Sequence, residues 1–329
     1  MDMRGVLIVA IVLCTLSLYP YEVKAQSMEL SREEELEIEN QLERLNKSSI
    51  KIIKTQSGDI YDCVNFYEQP AFDHPLLKNH KYDFQMRPSS RPKGAMNENK
   101  PTNKERHQSI VHTKPDPKKK YNGSGTTASF FTLDNVSGSQ YSKGQMKIQN
   151  GNDFIQVGWT AGEVSCFNTL CPGFVIVSTE IPLDQVLPES HPGGNSSQVV
   201  NFFVYKDQVT GNWWLELGNK YNEIGYWPSK IFSDGGLKDL ATYVEWGGET
   251  YSPPGLLGPP MGSGWLLKGN TADDAYCKFL TTINEAHKTE EDATNTLKYS
   301  VDVDFYEVED WGFRSELRHI MTYGGPGPK

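Results

Sequence analysis

From residue 128 to the C-terminus, helical periodicity is missing from every stretch of twelve residues except for a weak trace at 237–244. Apolar runs in this part are short and separated by turns. Residues 145–149 alternate, 154–159 and 173–177 are apolar, and further runs centre on Tyr226, 244–246, Trp265, 279–283 and 299–305. Residues 199–205 pass through Lys206-Asp207-Gln208-Val209-Thr210-Gly211 into 212–217, which reads as a hairpin. Short strands at such spacing, with Gly and Pro turns, specify a mainly β fold, an antiparallel β-sandwich or barrel. All seven tryptophans (159, 213, 214, 227, 246, 265 and 311) lie here, enough aromatic bulk for a sizeable core.

The chain before it is of a different kind. Residues 31–45 are dense in Glu and apolar at Leu36, Ile38, Leu42 and Leu45, with Ser31 and Glu34 in capping-box spacing, so a surface helix is expected. A strand at 50–55, the turn Ser57-Gly58-Asp59 and an alternating run at 60–66 make a hairpin signal. This small α+β unit is too short to bury a core alone and is expected to pack on something else. Residues 91–127 are rich in Pro, Asn, Lys, Ser and Gly and include Lys118-Lys119-Lys120, the makeup of an exposed linker open to proteolysis. Residues 26–127 carry 15 acidic and 17 basic residues, a net of +2, whereas 128–329 carry 25 and 13, a net of −12. The expected organisation is therefore 1–25, 26–90, a linker over 91–127, and a sandwich over 128–329. Electrostatic docking of the first part on the second is expected to weaken in acid.

Residues 1–25 combine Arg4, an apolar run at 6–19, and Val23-Lys24-Ala25 before Gln26. That is the pattern of a cleaved secretory signal; the run falls short of the roughly 20 apolar residues of a spanning helix. An extracellular location without membrane integration is expected. Sequons at Asn46, Asn122, Asn135 and Asn195 fit a secreted glycoprotein. A formal net charge of −10 argues against nucleic acid as partner. Four cysteines follow the signal. Cys166 and Cys171 are spaced for a loop-closing disulfide, while Cys63 and Cys277 either pair or stay as thiols.

Candidate chemistry narrows to carboxylates. The seven histidines show no metal-ligand spacing, and no G-x-S-x-G or phosphate-loop pattern occurs. Met261-Gly262-Ser263-Gly264 reads as a tight strand connection. In Val244-Glu245-Trp246-Gly247-Gly248-Glu249, alternation puts Val244 and Trp246 on one face and Glu245 and Glu249 on the other. The glycines would let a backbone or a substrate approach closely. Asp302, Asp304, Glu307, Glu309 and Asp310 read as an outer, solvated face.

On these residues the chain resembles the plant neprosin family, secreted glutamic peptidases that act as prolyl endopeptidases. Its first part resembles their activation peptide through Ile60-Tyr61-Asp62-Cys63-Val64 and Gln69-Pro70-Ala71-Phe72-Asp73-His74-Pro75-Leu76-Leu77. The second resembles the neprosin domain through Gln156-Val157-Gly158-Trp159, the stretch from Cys166 to Val175, Thr210-Gly211-Asn212-Trp213-Trp214-Leu215, Gly225-Tyr226-Trp227-Pro228, Trp246-Gly247-Gly248-Glu249 and Met261-Gly262-Ser263-Gly264. The resemblance implies a zymogen whose propeptide is an intramolecular inhibitor, a monomeric enzyme acting on Pro-containing peptides, and a pair of Glu needing no cofactor or metal. One Glu would activate water and the other would protonate the leaving nitrogen, with activity at acid pH. Glu249 matches the family's second Glu. At the first, where the family commonly has Glu-x-Gly-Trp, this chain has Gln156, an amide that exchanges no proton in this range. The connection at 160–165 is about one hairpin shorter than in the family, and Glu163 within it is a candidate surrogate. No cysteine follows Cys277, so the family's late cysteine pair is missing. The alternative to an acid-activated endopeptidase is a neprosin-fold protein that binds Pro-rich peptides or extracellular partners without cutting them.

Overall fold

The structure, a computed structural model, describes residues 32, 47–55, 58–81, 86–90, 106–162, 168, 171–194 and 198–328. The chain divides into two compact units, Met1–Lys47 and Ser48–Lys329. Within the first, only Arg32, which is helical, and Lys47 are described, so the helix expected at 31–45 lies outside the described residues.

The second unit opens with the expected hairpin, β1 (Ser49–Lys54) and β2 (Ile60–Val64), then three single 3₁₀ turns between Phe66 and Leu77. Gly58, at φ +98°, supplies the left-handed position of the hairpin turn. The strands that follow are β3 (Arg106–Thr113), β4 (Tyr121–Phe130), β5 (Tyr141–Asn150) and β6 (Asp153–Gly162). Next come β7 (Val175–Ile176), β8 (Gln198–Lys206), β9 (Trp213–Leu217), β10 (Asn222–Trp227) and β11 (Tyr243–Tyr251). The last are β12 (Ala275–Asn284), β13 (Thr289–Glu290), β14 (Thr296–Ser300), β15 (Glu307–Arg314) and β16 (Arg318–Gly324).

Apart from the β1–β2 hairpin, the described strands form two antiparallel sheets. The larger runs β15-β16-β12-β4-β8-β9-β10-β7, with β13 added against β12, and the smaller runs β14-β3-β11-β5-β6. Between them, Met146, Ile148, Ile155, Val157, Val244 and Trp246 of the smaller sheet pack against Val204, Trp213, Leu215, Met321 and Tyr323 of the larger. The sandwich expected from the strand spacing is thus present, and period-2 alternation decides which residues enter its core. Trp246 and Trp213 are fully buried, and truncating either to Ala removes about 3–5 kcal/mol of packing.

The linker expected at 91–127 is corrected. Only 91–105 lies outside the described residues there; β3 and β4 are strands in the middle of different sheets, β3 between β14 and β11, β4 between β12 and β8. Every residue of β4 is buried. Its small and hydroxylated residues pack a crowded central strand. A Cβ on Gly123 would lie 2.2 Å from the Val204 carbonyl oxygen. The Ser124 and Thr126 hydroxyls donate to the carbonyls of Thr281 and Lys278 at 2.8 and 2.9 Å. A composition that elsewhere marks a loop is here the consequence of close strand packing.

Moving the boundary to residue 106 also changes the charge argument. Residues 26–105 hold 14 acidic and 12 basic residues, a net of −2, and 106–329 hold 26 and 18, a net of −8. No opposition of net charge remains to drive docking. The segment 48–90 is instead held by an apolar cluster on the outer face of the larger sheet. There Ala71 is buried with Val175, Phe203, Tyr205, Trp214, Tyr226 and Ile283, flanked by Phe66, Phe72 and Met86.

Candidate functional site

The register of the smaller sheet sets out its outer face in rows. Glu249 pairs with Gln108 of β3 and Lys143 of β5, and Lys143 in turn with Thr160 of β6. Two residues along, Gly247 shares a row with Ile110, Gln145 and Gly158. Two further, Glu245 shares one with His112, Lys147 and Gln156. Residues paired across antiparallel strands share a face, so Glu245, Glu249 and Gln156 all project from the same side. The sequence expectation for Glu245 and Glu249 holds.

Glu249 is only 2% exposed and has a full set of partners. The Tyr141 hydroxyl donates to Oε1 at 2.9 Å, and the Lys143 ammonium lies 2.9 Å from the same oxygen. The Gln108 amide donates to Oε2 at 3.0 Å, and the Arg106 guanidinium stands 3.9 Å away. Burial pushes this carboxyl up, but the Lys143 charge and hydrogen bond, the Tyr141 hydroxyl and Arg106 together bring it below the usual carboxylate range. Glu249 is therefore held as a carboxylate, able to take a proton. The same environment, burial first and Glu249 second, raises the Tyr141 phenol well above its ordinary value, so Tyr141 acts as a donor.

Glu245, 1% exposed, has a separate set of partners. Its Oε1 accepts from the Gln145 amide at 2.8 Å and its Oε2 from the Tyr243 hydroxyl. Gln156 donates to Gln145, which completes a relay Gln156–Gln145–Glu245. Gln156 is thus brought to Glu245 and not to Glu249, from which it is two strands and four residues of register away. Four residues along a strand amount to roughly 13 Å. Gly247 between them, at φ +133°, leaves room for the backbone of β3: a Cβ there would lie 2.3 Å from the Ser109 carbonyl oxygen. Gly248 makes room for Met261 and Tyr323. The close approach expected at these glycines is made by the protein's own packing.

Sequence reasoning missed Arg106, Gln108, Tyr141 and Lys143. The polar alternation of β5 (Tyr141, Lys143, Gln145, Lys147 against Met146 and Ile148) was a signal for two of them. Arg106 and Gln108 fell in the supposed linker. Glu163 and Cys166 lie outside the described residues; Cys171 is disulfide-bonded, and Cys63 and Cys277 are free thiols. Burial pushes the Cys277 thiol up to about 12, which leaves it inert. Among the sequons, Asn135 is exposed, and Asn46 and Asn195 lie outside the described residues. The expectation for Asn122 is corrected: it is buried in β4 with its amide donating to the Asn284 carbonyl at 2.7 Å, so the folded domain leaves no room for a glycan there. Met261-Gly262-Ser263-Gly264 is the expected tight connection, with Met261 bridged to Gly325.

Residues 159–326 match the family model for Neprosin, and residues 52–125 match the model for the Neprosin activation peptide. The chain belongs to the neprosin family. Glu249 lies inside the neprosin match, whereas Gln156 lies just before it. The activation-peptide match runs on through β3 and into β4, which structurally belong to the sandwich. This neprosin chain carries its own activation peptide docked on the domain it precedes, the arrangement of a zymogen.

Proposed function

We propose that this chain is a secreted, glycosylated neprosin zymogen that acid converts into a glutamic endopeptidase cutting at proline, with Glu249 as the group that activates water. The observation that carries this reading is the buried Glu249 carboxylate, kept ionised by Lys143 and Arg106 inside the neprosin domain. In the reaction Glu249 takes a proton from a water molecule as that water adds to the scissile carbonyl carbon, and returns the proton to the leaving nitrogen as the C–N bond breaks. Tyr141 and Gln108, which now donate to Glu249, then offer hydrogen bonds to the carbonyl oxygen as charge develops on it. Gln156 stands in the Glu245 row and takes no part in this transfer.

This reading puts processing within 91–105. A cut after residue 105 would sever β3, and with it Arg106 and Gln108, from the site. Acid acts on the docked segment through three groups. Asp207, fully buried beneath Ser89 and Ser90, has its carboxyl raised by burial, but hydrogen bonds from Thr210, Ser90 and Ser89 bring it below its ordinary range. Thr210 belongs to the sandwich, so only the Ser89 and Ser90 share of this lowering comes with docking, and that share is lost as pH falls through the docked value. Burial and nearby Lys230 lower His80, so protonation below its ordinary value of 6.5 opposes docking. Glu223 runs the other way: burial raises it despite Arg87, and acid relieves that cost. Two of the three groups weaken docking on acidification.

A second reading, a neprosin-fold protein that binds Pro-rich peptides without cutting them, is favoured by one observation: no second carboxyl shares the Glu249 row among the described residues. Cleavage of a Pro-containing reporter between about pH 2.5 and 6 decides between the two. Acid-treated chain that cleaves, and loses this on Glu249→Gln, supports the peptidase. Acid-treated chain that binds the peptide and leaves it whole supports the second reading.

A further inference from the structure

The described part of the activation segment contacts the larger sheet, on the outer face away from the smaller sheet that bears Glu249, and its contacts there are specific. β7 is the edge strand of the larger sheet, and an edge strand presents unpaired backbone groups. The Gln69 side chain fills that need: its amide nitrogen donates to the Ile176 carbonyl at 2.9 Å, and its oxygen accepts from the Ile176 N–H at 2.8 Å. A primary amide has the donor and acceptor of a peptide group, so Gln69 caps the edge as one residue of an added strand would. Pro70 follows and starts the 3₁₀ turn that drops Ala71 into the aromatic cluster around Trp214 and Tyr226. Phe72 stacks on His80 at 6.2 Å between ring centroids, and His80 meets the Tyr226 hydroxyl at 3.0 Å.

The far end is anchored on a buried charge. Asp207 accepts from the Ser89 hydroxyl at 2.9 Å, the Ser90 N–H at 2.9 Å and the Ser90 hydroxyl at 2.8 Å. Arg87 pairs with Glu223 at 3.2 Å. Residues 48–90 hold five acidic and five basic side chains, so shape and hydrogen bonding, and not net charge, select what sits here.

We propose that this face is a peptide-binding site in its own right, separate from Glu249. Its occupant in the precursor is the segment 66–90. In the processed protein it takes polypeptides that carry Gln-Pro, one small residue and then an aromatic residue, turned as Gln69-Pro70-Ala71-Phe72 is. Such a chain caps the β7 edge through its glutamine, fills the aromatic cluster and supplies hydroxyls or N–H groups to Asp207. The proposal rests on the reading of the chain as a precursor cut in 91–105 and is independent of the chemistry at Glu249.

The test uses the full chain with a specific protease site placed within 91–105, nicked at neutral pH. The probe is a fluorescein-labelled synthetic peptide of residues 66–90, followed by anisotropy. It is expected to exchange into the nicked chain and to be excluded from the uncut one, where the tethered segment holds the site at high effective concentration. Asp207→Asn in the protein is expected to weaken binding at least tenfold. Because that change also touches the Thr210 turn, a peptide carrying Gln69→Ala provides the same loss with the protein unaltered. Glu249→Gln binds as wild type does, and a nicked chain without peptidase activity still binds. A scrambled peptide binding as well as the native one, no exchange into nicked chain, or loss of binding in Glu249→Gln would each overturn the proposal.

Discussion

The two outer faces of this sandwich solve opposite problems. The smaller sheet buries charge: Glu249 among Lys143, Arg106, Tyr141 and Gln108, and Glu245 between Gln145 and Tyr243. The larger sheet buries aromatic surface and one carboxylate, Asp207, under the activation segment. On the first face the partners of each carboxylate belong to strands of the same sheet, so its electrostatics persist through processing. On the second, Ser89 and Ser90 of the activation segment join Thr210 of the sandwich's own β8–β9 turn around Asp207. The difference separates a charged site complete within one sheet from one that the activation segment completes.

That contrast can be broken most forcefully at Glu249. Glu249→Gln should lower cleavage of a Pro-containing reporter by about 10²–10⁴, the span of a lost general base, and leave retention of the nicked segment on a sizing column as in wild type. Loss of both together would mean the two faces are not independent. Next in size, Asp207→Asn should release the nicked segment at least about tenfold faster at neutral pH, since a hydrogen bond to a charged group contributes roughly 1.5–3 kcal/mol. The same release in wild type should increase as pH falls from 6.5 through the carboxylate range, because Asp207 and His80 outnumber Glu223 in sign; retention that strengthens in acid would reverse the assignment.

Lys143→Met should move the acid limb of the pH–rate profile upward by about one unit or more, as Glu249 loses its nearest cation. Lys143→Arg should restore much of the shift, which a merely structural role would not require. The smallest effect is expected at Gln156. Gln156→Glu places its carboxyl beside Gln145 and Glu245, so turnover should change by less than about threefold. A large gain would mean that β6 shifts its register against β5 in the working enzyme. Glu163→Gln, measured alongside, shows whether the residue that follows Gly162 supplies the missing acid.

How much of this was legible in sequence depended on distance along the chain. The β1–β2 and β8–β9 hairpins were readable because their turns, Ser57-Gly58-Asp59 and Thr210-Gly211, sit between the strands they join. The exposure of Glu245 and Glu249 to a common face followed from alternation within one strand. The partners of Glu249 did not, because Gln108 is 141 residues away and Tyr141 is 108. Only register brings them together, and no local pattern encodes register. β4 was misread for a different reason. In Asn122-Gly123-Ser124-Gly125-Thr126-Thr127 the side chains that signal a turn are those a crowded central strand needs. The lysines at 114–120, counted on the wrong side of that boundary, produced an electrostatic attraction that the folded chain does not have.

The placement of β3 and β4 has one last consequence. The chain enters the smaller sheet at Arg106, crosses at 114–120 and enters the larger sheet at Tyr121. Residues 106–130 are therefore a stitch through both layers and not a trailing end. Losing them would not shorten the sandwich at one end; it would take a central strand out of each of its two sheets.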